Sequence, residues 1–209
     1  MKIKFSPILV TAGLALAALQ VQAQSLVDGS VDAGKARAIT CTACHGAEGN
    51  SISPTWPNIA GQNANYLVAQ LEAFKDGTRS DPLMTSQAAM LTEQDMNNLA
   101  VYFESLPAAA QAVADPSKIA RATALYRGGN AEAGTAACIA CHGPTGRGNP
   151  AAAYPALKGQ HAAYVAKQLQ DYATGARTSD DPTHVMRDIA ERLSKEDIQA
   201  VASYVQGLK

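Results

Sequence analysis

Five consecutive residues carry the most specific chemistry in the chain: Cys41-Thr42-Ala43-Cys44-His45, a C-x-x-C-H pattern. Two thiols at i and i+3 reach two edges of one porphyrin, and the adjacent imidazole sits beneath its iron, so the pattern reads as a c-type haem attachment site. It recurs at Cys138-Ile139-Ala140-Cys141-His142, which uses the remaining cysteines of the four. Two other chemistries also use C-x-x-C, a thioredoxin-like thiol pair and half of a zinc site. Neither accounts for a histidine in both copies, and zinc would want further paired ligands where the chain offers only His161 and His184, both in the second half. Two covalently bound haem c groups are expected, attached through Cys41, Cys44, Cys138 and Cys141, with His45 and His142 on the irons.

The sixth ligand decides whether such a site binds small molecules or passes electrons. Beyond Met1 the methionines are Met84, Met90, Met96 and Met186, so Met186 is alone in the second half. Aligning the two copies over residues 41–52, 54–80 and 84–106 gives 22 identities in 62 positions. It pairs Met84 with Met186, Met90 with Arg192 and Met96 with Ile198. Met84 and Met186 each stand eight residues before a helix N-cap, in what reads as equivalent loops, and are the expected axial ligands. Met90 and Met96 read as helix-packing residues. His184, two residues before Met186, is the rival for the second iron. Neither it nor His161 has a histidine counterpart in the first half, and both read as solvent-facing residues of a loop and a helix start.

A haem-ligating histidine donates its other ring N–H to an acceptor that fixes its orientation and raises its basicity. Pro57 and Pro155 are candidates, because each follows an aromatic, Trp56 or Tyr154, and each precedes a repeated Gly-Gln, Gly61-Gln62 or Gly159-Gln160. A proline carbonyl accepts without a competing backbone donor. Arg79 and Arg177 also align, and are candidates to pair with haem propionates.

The elements that must position these groups read as all-α, a tandem duplication of two haem-wrapping domains. Residues 1–23 read as a cleaved secretory signal peptide, with Lys2 and Lys4 before an apolar run and Val21-Gln22-Ala23 at the cleavage site. Its removal takes the net charge from −1 to −3, which excludes a general polyanion-binding role; nucleic acid is not the expected partner. Residues 24–106 form the expected N-terminal domain, 107–116 a proline-bounded linker and 117–209 the C-terminal domain. One Trp and three Phe are a thin aromatic supply for two cores, and porphyrins would add the missing apolar bulk. Helices are expected over 31–40, 65–76, 117–127 and 162–174, with last helices beginning at the N-cap candidates Thr92 and Ser194 and running to about 106 and 208. Asp95 and Asp197 replace the usual Glu or Gln of a capping box. Gly34 is expected to permit a close helix crossing, and its counterpart is Ala122.

With these motifs in view the chain resembles the dihaem cytochrome c4 family over nearly all of the mature sequence. The resemblance rests on Cys-His-Gly with Gly49-Asn50-Ser51, on Leu125-Tyr126-Arg127-Gly128-Gly129, on Lys158-Gly159-Gln160-His161-Ala162-Ala163-Tyr164 with Lys167-Gln168-Leu169, and on the ending from Asp197-Ile198 through Ser203-Tyr204 to Gly207-Leu208. It implies two class I cytochrome c domains related by a pseudo-twofold axis with their propionates close together, and His/Met ligation at Met84 and Met186. It also implies electron delivery in the periplasm of a Gram-negative bacterium, towards a terminal oxidase. The expected function is a non-enzymatic electron carrier, soluble or peripherally attached to the membrane, between a donor such as a cytochrome bc complex and a terminal oxidase. The alternative is the cytochrome subunit of a flavocytochrome-type dehydrogenase. A dihaem peroxidase needs a site that opens to peroxide, and the paired methionines argue against it.

Overall fold

A computed structural model describes residues 26–180 and 182–209. The expected signal peptide lies outside the described residues. The first half contains helices α1 (Val31–Arg37), α2 (Ile39–His45), α3 (Ala64–Asp76), α4 (Pro82–Ala89) and α5 (Glu93–Ser105). The second contains α6 (Ile119–Gly128), α7 (Ile139–His142), α8 (Ala162–Ala173), α9 (Val185–Ala190) and α10 (Lys195–Gln206), with short 3-10 turns at Pro116–Lys118 and Pro150–Ala152. Among the described residues, extended pairing is limited to two isolated bridges, Asn130 with Thr135 and Asn149 with Tyr154.

In each half the last helix is the packing centre. Thr92 and Ser194 start α5 and α10 with complete capping boxes, in which hydroxyl and Asp95 or Asp197 carboxylate satisfy each other's backbone N–H. Aspartate therefore serves where the sequence rule favours a longer acid. Helix α5 buries Met96, Leu99, Ala100, Tyr102 and Phe103 against α1 and α3, and α10 buries Ile198, Val201, Ala202 and Val205 against α6 and α8. Each fully buried aliphatic side chain contributes about 1.5–3 kcal/mol. The α1–α5 crossing is tight because residue 34 lacks a side chain: a Cβ there would lie 2.0 Å from the Asn98 carbonyl oxygen.

Three local expectations change. The helix expected over 31–40 breaks at Ala38, and α2 carries the first C-x-x-C-H onward as its own helix. Met84 and Met186 lie in short helices rather than loops, α4 being started by Asp81, whose carboxylate accepts from Leu83 and Met84 N–H ahead of Pro82 in the first turn. Met90 caps the end of α4 with 61% of its surface exposed, so it is not a packing residue, whereas Met96 is.

The segment over 107–116 is fastened to both halves. Asn50 Nδ2 donates to Pro107 O, Gln111 Nε2 to Gly159 O, Gln206 Nε2 to Ala112 O, and Asp115 N to Ser203 Oγ. Gly61 and Gly159, both at positive φ, let this segment pass: a Cβ would meet Ala108 at 2.8 Å and the Ala109 carbonyl oxygen at 2.0 Å. The glycine of the repeated Gly-Gln thus admits the connecting backbone.

Candidate haem sites

Helices α2 and α7 each end on the axial-ligand candidate, His45 or His142, both buried. His45 Nδ1 lies 2.8 Å from Pro57 O, and His142 Nδ1 lies 3.0 Å from Pro155 O. A carbonyl only accepts, so Nδ1 carries the proton and Nε2 keeps a free lone pair. Burial lowers the proton affinity of both rings, and the proline carbonyls only partly offset it, which favours the neutral imidazole that binds iron. The four thiols are unpaired. Burial pushes the Cys41 thiol up and the Cys138 thiol up to about 11, the reverse of the low-pKa thiolate that a dithiol redox pair requires.

Cys41 packs against the first apolar cluster, as do Leu67 and Leu71 of α3. Cys138 and Met186 each pack against the second cluster. Met84 stands in the first turn of α4, half-buried, on a helix that packs against α3. His184, the rival of Met186, is exposed in a left-handed conformation just before α9.

Arg79 and Arg177 are buried, at 8% and 4% exposure, and meet across the boundary between the halves. Arg79 donates to Gln70 on its own side and to Tyr164 and Gln168 across it. Arg177 reciprocates with Gln168 on its own side and with Tyr66 and Gln70 across it. Each guanidinium stacks 4.5 Å from an aromatic centroid, Phe74 or Tyr172. Neither pairs with a carboxylate among the described residues, so two buried cations face one another through neutral groups. Although burial opposes ionisation of the Tyr66 phenol, the two arginines hold its pKa below the ordinary tyrosine range. This is an environment that calls for an anion. The donor set fits haem c in kind: paired thiols, a neutral imidazole with free Nε2, an aligned methionine in each half and buried cations suited to propionates.

The rest of the boundary repeats the same exchange. Gln62 takes Ala156 N–H on its Oε1 at 2.7 Å and gives Nε2–H to Ala156 O at 2.9 Å. Gln160 holds Asn58 in the same way, at 2.9 and 2.7 Å. Asn63 reaches Tyr154 O, and its aligned partner His161 reaches Ser51 O through Nε2 at 2.9 Å. His161 is therefore buried between the halves and is not the solvent-facing residue its place before a helix suggested. Sequence reasoning missed Tyr66, Tyr164, Gln70 and Gln168 as well. Their signal was present: they are polar identities at aligned positions, on helices otherwise selected for apolar spacing. A cavity of about 360 Å³ borders this boundary, lined by Asn58, Gln62, Asn63, Ala156 and Gln160, and another of about 400 Å³ lies against Cys44 beside Ile52 and Trp56.

The profile of the Cytochrome c family matches residues 31–107 and again 127–209. Cytochrome c4 of Pseudomonas aeruginosa is 47% identical over 180 residues, covering 86% of this chain and 89% of that protein. A thiosulfate dehydrogenase electron acceptor of Stutzerimonas stutzeri is 36% identical over 200 residues, covering 92% and 91%. The crystal structure of reduced cytochrome c4 from Pseudomonas stutzeri superposes with a TM-score of 0.84 at 42% identity, covering 87% of this chain and all of that one. Two helical halves, each with its own C-x-x-C-H, together with these likenesses, place the chain in the cytochrome c4 family, an electron carrier with two covalently bound haem c groups.

Proposed function

We infer that the chain is a periplasmic relay between respiratory-chain proteins, accepting electrons from a donor such as a cytochrome bc complex and passing them towards a terminal oxidase. The observation that carries a two-centre relay is the reciprocal boundary, where Arg79 and Arg177 each bond to the other half's tyrosine and glutamine. When bound, each haem supplies one-electron ferrous–ferric exchange. Cys41 and Cys44 would hold one haem in the half spanning 24–106, and Cys138 and Cys141 the other in the half spanning 117–209. His45 with Met84 and His142 with Met186 would hold the two irons, a ligand set that suits electron transfer over ligand binding. Pro57 and Pro155 fix the histidine tautomers, and Arg79 and Arg177 would neutralise haem propionates. Among the described residues no helix is long and apolar enough to cross a membrane.

A second reading has a specific support. The likeness to the thiosulfate dehydrogenase electron acceptor favours a dehydrogenase as donor, the same direction as the flavocytochrome-type alternative. An optical redox titration of the holoprotein tests the relay: two one-electron steps with His/Met spectra support it, and a single step or a high-spin ferric iron overturns it. Rapid reduction by a purified dehydrogenase in place of a cytochrome bc complex moves the donor to the second reading.

A further inference from the structure

We propose that each half tunes the other's iron through a glutamine: Gln160 positions the histidine of the first site, and Gln62 that of the second. The argument rests on which peptide each glutamine holds. Pro57 C=O and Asn58 N–H belong to one peptide unit. Its oxygen accepts from His45 Nδ1–H, and its N–H donates to Gln160 Oε1 from the other half. The unit joining Pro155 to Ala156 likewise accepts from His142 Nδ1–H and donates to Gln62 Oε1. Imidazole, peptide and carboxamide thus form one chain of hydrogen bonds in each direction across the boundary. The amide end of each glutamine closes on the carbonyl of the following peptide unit, so the held residue is fixed at both its N–H and its C=O.

Hydrogen bonds in series polarise one another, most strongly where water is excluded. Gln160 is buried, as are Asn58 and His45. An acceptor on Asn58 N–H leaves more negative charge on Pro57 O, which draws the Nδ1 proton more strongly and makes the imidazole a more basic ligand. A more basic ligand favours the ferric state. Removing the glutamine therefore raises the potential of the iron in the opposite half. The sequence is consistent with this role: Gln62 and Gln160 are identical at aligned positions, while the residues they hold, Asn58 and Ala156, differ. That difference is tolerated because only backbone atoms of the held residue are used.

The proposal rests on the His45/Met84 and His142/Met186 reading, and its test separates the two. Full-length holoproteins carrying Gln160→Leu, Gln62→Leu and Asn63→Ala are titrated, with the irons told apart by their axial-methionine proton resonances. Gln160→Leu should raise the ferrous-to-ferric ratio of the first site at fixed ambient potential by about two- to fivefold, the range for weakening one neutral hydrogen bond, and leave the second site. Gln62→Leu should do the converse. Asn63→Ala breaks the bonds to Tyr154 and Arg147 without touching either proline–residue peptide, so it should leave both potentials. A shift confined to the substituted half, or equal in both, overturns the proposal. Should the leucine variants not fold, amide exchange of the unsubstituted holoprotein decides: Asn58 and Ala156 N–H should exchange only on global opening, and fast exchange of either overturns it. Loss of His/Met spectra in the unsubstituted protein would instead remove the ligand reading itself.

Discussion

Residues 24–106 carry four Lys and Arg against nine Asp and Glu, whereas residues 117–209 carry eleven against eight, a net −5 facing a net +3. Apolar exposure divides the same way. Of the eight large apolar side chains left exposed among the described residues, seven belong to the first half, and Ile52 and Trp56 border the cavity at Cys44. Their aligned positions, Asn149 and Tyr154, are more polar. The buried sides diverge far less: Tyr66, Gln70 and Arg79 face Tyr164, Gln168 and Arg177 as identical triplets. Between the two copies the boundary groups are paired while the halves differ in net charge. Opposite net charges suit the two halves to docking surfaces of opposite sign.

The sharpest way to break this comparison is at Met84 and Met186, the proposed axial ligands, where the halves should respond alike. Met84→Ala and Met186→Ala should each abolish one of two far-red ferric charge-transfer bands and lower one potential by some tenths of a volt, within the span of about 0.8 V that axial ligands cover. Near-infrared absorption and redox titration check it. Retention of both bands in Met186→Ala would transfer the role to another residue, His184 first.

The next prediction sharpens a difference. Gly34 and Ala122 occupy aligned positions, both buried, yet only the second half has room for a methyl group. Gly34→Ala drives its Cβ to 2.0 Å from Asn98 O and 2.7 Å from Tyr102 Cβ, and should cost about 1–3 kcal/mol by overpacking. Ala122→Gly should cost about 0.5–1 kcal/mol, mostly as backbone entropy. Denaturant unfolding of the two holoproteins compares them, and equal costs would show that the α1–α5 and α6–α10 crossings are equivalent after all.

What sequence could reveal was the chemistry that repeats locally. Cys-x-x-Cys-His is contiguous, Met84 was separable from Met90 and Met96 by alignment, and the helix starts at Thr92 and Ser194 announce themselves through residues three apart. The boundary between halves was not legible in this way. Gln160 meets Asn58 across 102 residues and His161 meets Ser51 across 110, contacts that leave no periodicity in either segment. A histidine just before a helix therefore read as exposed until the other half was placed over it. The helix holding Met84 was missed for a smaller reason: Asp81-Pro82 is a start signal, an N-cap followed by proline at the first position, that loop reasoning passed over.

The smallest expected difference lies in the capping boxes, which share geometry and differ in burial. The Asp197 side chain is 5% exposed and meets Arg121 at 2.6 Å, whereas Asp95 is 29% exposed with Arg37 at 3.6 Å. Burial raises the Asp197 pKa, but Arg121 and Ser194 outweigh it and hold the carboxyl below the ordinary range; Thr92 does the same for Asp95. A depressed folded-state pKa means that the stabilisation is present above the unfolded value of about 3.9 and is lost as pH falls through the folded value. Asp197→Ala should cost about 1–2 kcal/mol at pH 7 and Asp95→Ala about 0.5–1, since the first removes a desolvated partner as well as a cap. Below the folded pKa both penalties should shrink, the larger one further. Unfolding curves recorded from pH 7 to pH 2.5 check this, and a penalty for Asp197→Ala that stays constant with pH would assign its effect to packing instead of charge.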